Sequence, residues 1–316
     1  MNALLIILGL FKSPDVYHST LTYGTLLLLP ALGGVISERS GVVNIAMEGM
    51  MLTGAFFAVV ADLAWHNVWL AVLVAIIAGG FMALIHAVVS IRYHADQIVS
   101  GVAINIVAAG LTVFLLNQFY GVQEIGSVAP QFLIPNIKVP VLDAIPFIGP
   151  IFFEQNLVVY IAIILLVAIN IILFRTRLGL RLRAVGEHPS AADTAGINVY
   201  TLRYGAVIAS GLLSGLAGAF LSIGLSNTFV PNMTDGRGYI ALAAMIFGKW
   251  TPLGAFAACL IFGLGQAIYD NTSIIPISPY FLSMLPYILT LVVLAGLVGR
   301  SIPPAADGIP YEPGNE

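Results

Sequence analysis

Glu48 is the residue with the sharpest chemistry, because it lies inside the apolar stretch 42–61. A carboxylate within a membrane span costs roughly 2.5–3.5 kcal/mol on insertion scales, so it faces a bundle interior or a water-filled path. Two roles are open to it: a structural hydrogen bond or ion pair, with Arg39 as a candidate partner, or a place in the lining of a solute path. Asn44 precedes Glu48 by four residues, which on a helix would put both on one face. Asn105, Tyr239 and Trp250 add an amide, a phenol and an indole, groups that hydrogen-bond and stack on a neutral polar solute. These five are the candidate path residues. An asparagine inside a span also serves as an interhelical hydrogen bond, and Lys249 and Arg92 read as interface anchors.

A second set of residues is polar and basic. The stretch 175–203 carries Arg175, Arg177, Arg181, Arg183 and Arg203, five of the 12 basic residues in the chain. Positive charge beside membrane spans is retained in the cytoplasm, which places this loop inside. Pro189 and Ser190 suit the first turn of a short helix and Gly196 suits its end. The expectation is a docking helix lying across the cytoplasmic face.

The elements that must position these residues follow from composition. The chain is 59% hydrophobic and 9% charged, with mean hydropathy +0.99. A soluble domain carries about 25% charged residues, so this is an all-α, polytopic membrane bundle forming one domain over 1–316. About 8–10 membrane segments are expected, some broken or re-entrant, given ~20 residues for a full span. Apolar spans read as 20–36, 42–61, 69–91, 98–119, 157–174, 204–225 and 280–298; residues 1–10 are too short to span and read as an interfacial helix. The loop 121–156 holds one basic residue, Lys138, and is placed outside, as is the N-terminus. The proline-rich stretch 301–316 reads as a disordered tail.

The segment 239–269 has external loops on both flanks by this count, so it must enter and leave on one face. Its first part, 239–247, would rise only ~14 Å as a helix, short of the ~30 Å hydrocarbon core. Gly248, Pro252 and Gly254 then interrupt it. A broken helix fits, and paired interrupted helices point to a transport site; residues 44–47 (NIAM) faintly echo 239–242 (YIAL).

Catalytic chemistry is absent. There is no phosphate-binding G-x-x-x-x-G-K-[ST] and no G-x-S-x-G elbow. The five histidines are scattered, and the single cysteine, Cys259, sits in an apolar run and excludes an internal disulfide. The net charge of −3 gives no reason to expect a nucleic-acid partner.

The residues carry a resemblance to a family. Ser190, Ala191, Ala192 and Gly196 are similar to the Glu-Ala-Ala-x-x-x-Gly core of the cytoplasmic loop in permeases of ATP-binding-cassette importers, with serine replacing the glutamate. GVVNIAMEGMMLTGA at 41–55 and GYIALAAMIFGKWTPLGA at 238–255 resemble the branched-chain amino acid and ribose permease superfamily, in its nucleoside and simple-sugar branch. The resemblance covers about residues 20–300 and implies a permease subunit of the bacterial inner membrane that takes nucleosides. It implies no cofactor in this chain: ATP and Mg belong to a separate ATP-binding subunit docking on Glu187, His188, Pro189, Ser190, Ala191, Ala192 and Gly196. It also implies a second, unlike permease and an external solute-binding lipoprotein. A simple sugar or branched-chain amino acid is the alternative cargo, and an ion-coupled secondary transporter the alternative class, which would need no docking helix.

Overall fold

The computed structural model describes residues 12–121, 127–140, 143, 145–270, 284, 288 and 301–313. Helix α1 (Pro14–Glu38) starts with the Ser13 side chain accepting from Asp15 N–H, and with proline in the first turn. α2 (Met47–Trp65) and α3 (Val68–Ala87) follow, the latter capped by Asn67 and prolonged by a π turn (Val88–Arg92). α4 (Gln97–Tyr120) is capped by Asp96. Strands β1 (Asn136–Lys138) and β2 (Glu154–Asn156) pair antiparallel around the short α5 (Ile148–Phe152). Then come α6 (Leu157–Arg175), α7 (Arg177–Glu187), α8 (Pro189–Thr194) and α9 (Val199–Ala219), which ends in a π turn (Phe220–Ser226). α10 (Arg237–Phe247) and α11 (Pro252–Asp270) complete the described helices.

Seven of these helices are long and apolar enough to cross a membrane, and α10 is a shorter apolar helix. The protein is a polytopic helical bundle. The expected segments 1–10 and 280–298 lie outside the described residues, apart from Met284 and Ile288.

The bundle is held by close helix contacts at glycines. In lipid, where apolar side chains gain little by leaving the solvent, small residues let backbones approach and supply packing instead. Helices α2, α3 and α9 meet this way: a methyl group on Gly54 would lie 2.6 Å from the Gly215 carbonyl oxygen, and one on Gly79 would lie 2.7 Å from Gly215 Cα. α11 packs along α1, with Gly263 against Thr20 and Gly24.

Three expectations change. The predicted span 42–61 begins as non-helical chain, and α2 starts only at Met47. Ser37 Oγ donates to the Val42 carbonyl and Gln97 Oε1 accepts from Val43 N–H, so side chains satisfy this irregular backbone. The i to i+4 relation between Asn44 and Glu48 therefore does not exist.

The chain around 239–269 starts and ends at one end of the bundle only when 227–236 is included, and its break is elsewhere. Residues 227–236 descend without helix from the end of the bundle carrying the 121–156 loop, where Phe229 bridges to Val128. α10 then runs to the opposite end. Its turn at 248–251 lies there beside α1, with Arg39 Nε donating to the Trp250 carbonyl at 2.9 Å. α11 returns as a full span. The irregular backbone at depth thus precedes the short helix rather than following it.

The expected disordered tail is ordered over 301–313. Ala306 N–H donates to the Gly186 carbonyl at 2.9 Å and Arg203 Nη1 to the Ile309 carbonyl at 3.0 Å. Tyr200 donates to the Tyr311 carbonyl at 3.2 Å, and His94 pairs with Glu312 at 3.1 Å. Prolines remove backbone donors but not acceptors, and this strap is fastened partly through its carbonyls.

Asp307 sits in the strap, beside Glu38 and near Arg203. Burial pushes its carboxyl above the usual carboxylate range, although the nearby Arg203 guanidinium pulls it down. An acid whose value is raised in the docked state favours docking when protonated. Docking is therefore firmest in acid, where the carboxyl is protonated, and weakens as pH rises through its raised docked-state value. Hydrogen exchange of 301–313 at pH 5 and pH 8 should show faster exchange at pH 8 beyond the intrinsic rate. Asp307→Asn should flatten that difference.

Candidate functional site

Two interrupted segments converge on one cavity. At the start of α2, Gly49 N–H donates to Asn105 Oδ1 at 2.7 Å. Asn105 Nδ2 donates to the Ile45 carbonyl at 3.0 Å and to the Tyr239 hydroxyl at 2.8 Å. Asn105 lies about 12 Å along α4 from its start, well inside the apolar layer. At the start of α10, Glu48 Oε1 accepts from Gly236 N–H at 2.9 Å and Oε2 from Gly238 N–H at 2.6 Å. Glu48 thus fills the role of an anion at a helix N-terminus, where unpaired amides and the helix dipole favour negative charge. Gly238 is required for this approach, since a methyl there would lie 2.5 Å from Glu48 Cα.

Glu48, Asn105 and Tyr239 line a cavity of about 300 Å³, at the lower end of the range for ligand pockets. Its apolar wall is Leu52, Val102, Ile106 and Ala109, and its remaining polar wall is Asn232, Thr234 and Asp235. Asn232 and Asp235 adopt left-handed backbone, φ 56° and 46°, a region that asparagine and aspartate tolerate. Arg237 donates to the carbonyls of Met233 and Thr234, holding this loop in shape. The residues 232–235 were not singled out in the sequence; the Asp235-Gly236 pair was a visible turn signal, but nothing local says that the turn lies against Glu48 at the cavity.

Asn44 and Trp250 do not join the cavity. Asn44 is fully buried, donates to Ser210 Oγ at 2.8 Å and accepts from Ala46 N–H, so its amide ties α9 to the irregular 42–46 chain. Trp250 is 5% exposed, and its Nε1 donates to Glu38 Oε2 at 2.6 Å. Arg39 binds the carbonyls of Lys249 and Trp250 and is not the partner of Glu48. Among the cavity-lining residues there is no lysine or arginine.

The arginine loop folds as two helices. Thr176 caps α7 by accepting from Gly179 N–H, and α8 spans Pro189–Thr194 with Gly196 at φ 79° beyond its end. Glu187, His188 and Ala191 are exposed and Pro189 and Ser190 half-buried. Ala192 is buried against Val185, Val199 and Tyr311, which seats α8 on the bundle and on the strap.

Residues 16–294 match the family described as branched-chain amino acid transport system / permease component. The chain is 45% identical over 310 residues to the guanosine ABC transporter permease protein NupQ of Bacillus subtilis (strain 168), covering 94% of this chain and 96% of that one. It is 43% identical over 307 residues to the nucleoside ABC transporter permease protein NupC of Lactococcus lactis subsp. cremoris (strain MG1363), with 94% and 96% covered. A putative glucose ABC transporter permease protein, TsgC13 of Haloferax volcanii, is 36% identical over 304 residues, with 90% and 92% covered. With seven apolar helices among the described residues and this match over most of its length, the chain belongs to the branched-chain amino acid transport system permease family and is a multi-pass membrane permease.

Proposed function

We propose that this permease is the path-forming subunit of an ATP-driven importer of nucleosides in a bacterial cytoplasmic membrane. The observation that carries the reading is 45% and 43% identity, over nearly the whole chain, to permeases named for guanosine and for nucleosides. The cavity chemistry supports it. Glu48 and Asp235 offer acceptors for ribose hydroxyls, Tyr239, held by Asn105, a phenol for base edges or faces, and no lining cation is present to neutralise an amino acid's carboxylate. ATP and Mg are assigned to a separate ATP-binding subunit, because the chain has no phosphate loop of its own. That subunit docks on α7 and α8 through the exposed Glu187, His188 and Ala191 and the flanking Pro189, Ser190, Ala192 and Gly196. An unlike second permease and an external solute-binding lipoprotein complete the assembly.

The test is reconstitution of the chain in vesicles, alone and with those subunits. Labelled guanosine should accumulate only in the complete assembly and only with ATP. Accumulation by the chain alone under an ion gradient would instead establish a secondary carrier. Because TsgC13 is named for glucose, labelled glucose belongs in the same experiment, and its preference over guanosine would reassign the cargo.

A further inference from the structure

The strap touches the docking helices at one end of a chain of buried contacts whose other end is the cavity. Ala306 N–H binds the Gly186 carbonyl at 2.9 Å and Ala305 N–H binds Glu187 Oε2 at 3.2 Å, so residues 305–306 grip the end of α7. They hold that end down on α1, where Gly186 packs directly against the Arg39 backbone. The next strap residue, Asp307, lies beside Glu38, the last residue of α1, close enough that the two carboxyls interact. Glu38 is 3% exposed and accepts from Trp250 Nε1 at 2.6 Å. Trp250 belongs to the turn that ends α10, and Ser301 Oγ donates to the Ile246 carbonyl in the last turn of that helix. The far end of α10 is the one capped by Glu48 at the cavity.

Arg203 anchors the strap from the side. It is 2% exposed and donates from Nε to the Ser40 carbonyl and from Nη1 to the Ile309 carbonyl. Buried polar groups have no water to exchange with, so breaking one of these bonds leaves an unsatisfied partner and costs more than the bond itself contributes. Groups so joined move together. α10 has 11 residues, a rod of about 16 Å with no proline inside it.

We infer that the C-terminal strap, residues 301–313, is a coupling element: through Glu38 and Trp250 it carries displacement of docking helices α7 and α8 to α10, and so to the cavity. Glu38 and Trp250 are positioning residues here and touch no solute. The inference rests on the ATP-driven reading above.

The complete importer in vesicles tests it, by comparing the parent chain, a chain ending at Ser301, and Trp250→Phe, which keeps the ring and removes the Nε1–H donor. For each, assembled complex, ATP hydrolysed and labelled guanosine taken up are measured together. Guanosine delivered per ATP should fall about tenfold in both variants, within the range of site-to-site couplings, with assembly and basal hydrolysis retained. An unchanged ratio in both variants overturns the inference, as does a fall in uptake that only tracks lost assembly. If the shortened chain does not assemble, Trp250→Phe decides alone: normal delivery per ATP overturns the inference and reduced delivery supports it. A parent importer without ATP-dependent uptake would fail the ATP-driven reading instead, which keeps the two failures apart.

Discussion

Gly215→Val is expected to abolish assembly of the bundle. Gly215 lies where α9 crosses both α2 and α3, and a Cβ there would run into the Ala75 carbonyl oxygen and approach Ile76 Cα to 3.1 Å. Neighbouring backbone cannot yield as a flexible side chain can. The partner glycines close the other escape, because Gly54 and Gly79 already place their own backbones against Gly215. Overpacking a single core site costs about 1–3 kcal/mol. A β-branched side chain meeting backbone at the crossing of three helices stands at the upper end or beyond, against a total stability of about 5–15 kcal/mol. The matched control is Gly205→Val on the same helix, where a Cβ would meet nothing within 4 Å. Monodisperse protein recovered in mild detergent should be lost for the first variant and near the parent level for the second. Equal recovery of both would mean that α9 does not cross its neighbours at Gly215.

Some of this architecture was legible because the signals are local. The short helix α8 could be placed from Pro189 and Gly196, which act on their own backbone. The shortness of α10 followed from counting apolar residues before Gly248. The rest depends on pairings between residues far apart in the chain. Trp250 and Glu38 are 212 positions apart, and no periodicity in either segment announces their hydrogen bond. Asn44 looked like a helical neighbour of Glu48 because 42–46 is as apolar as a helix. Its true partner is Ser210 on α9, 166 positions away. The tail misled for a related reason. Proline richness and few apolar residues suit a disordered segment, yet Tyr311 is 8% exposed and Ala306 6%. A buried arginine supplied from α9 does what a hydrophobic face would otherwise have to do. In the site itself, Glu48, Asn105 and Tyr239 stood out as polar groups in apolar runs, whereas Asn232 and Asp235 resembled ordinary turn residues. Only the descent of 227–236 into the bundle brings them to the cavity wall.

Glu48 is where sequence and structure together give a sharper test than either alone. The carboxylate is neither paired with Arg39 nor free in the path; both oxygens accept from amides at the start of α10 while the residue lines the cavity. Glu48→Gln keeps the volume but replaces one acceptor with an NH₂ group, which must then face a backbone N–H. One charge-assisted bond, about 1.5–3 kcal/mol, is lost, and with it the attraction of a full negative charge to the helix terminus, about 0.3–1 kcal/mol. The glycine contacts of α2, α3 and α9 do not involve this group, so the variant should still assemble, with a lowered thermal midpoint. The first turn of α10 should detach from α2 in part of the population. Because each ~1.4 kcal/mol is a factor of ten in an equilibrium, guanosine uptake per assembled complex should fall about tenfold or more. Glu48→Asp separates capping from charge, since it keeps the carboxylate but withdraws it by one methylene from both amides. If reach matters, Glu48→Asp should be impaired nearly as much as Glu48→Gln; near-parent uptake in Glu48→Asp would mean that negative charge in the cavity, and not the fastening of α10, is what transport requires.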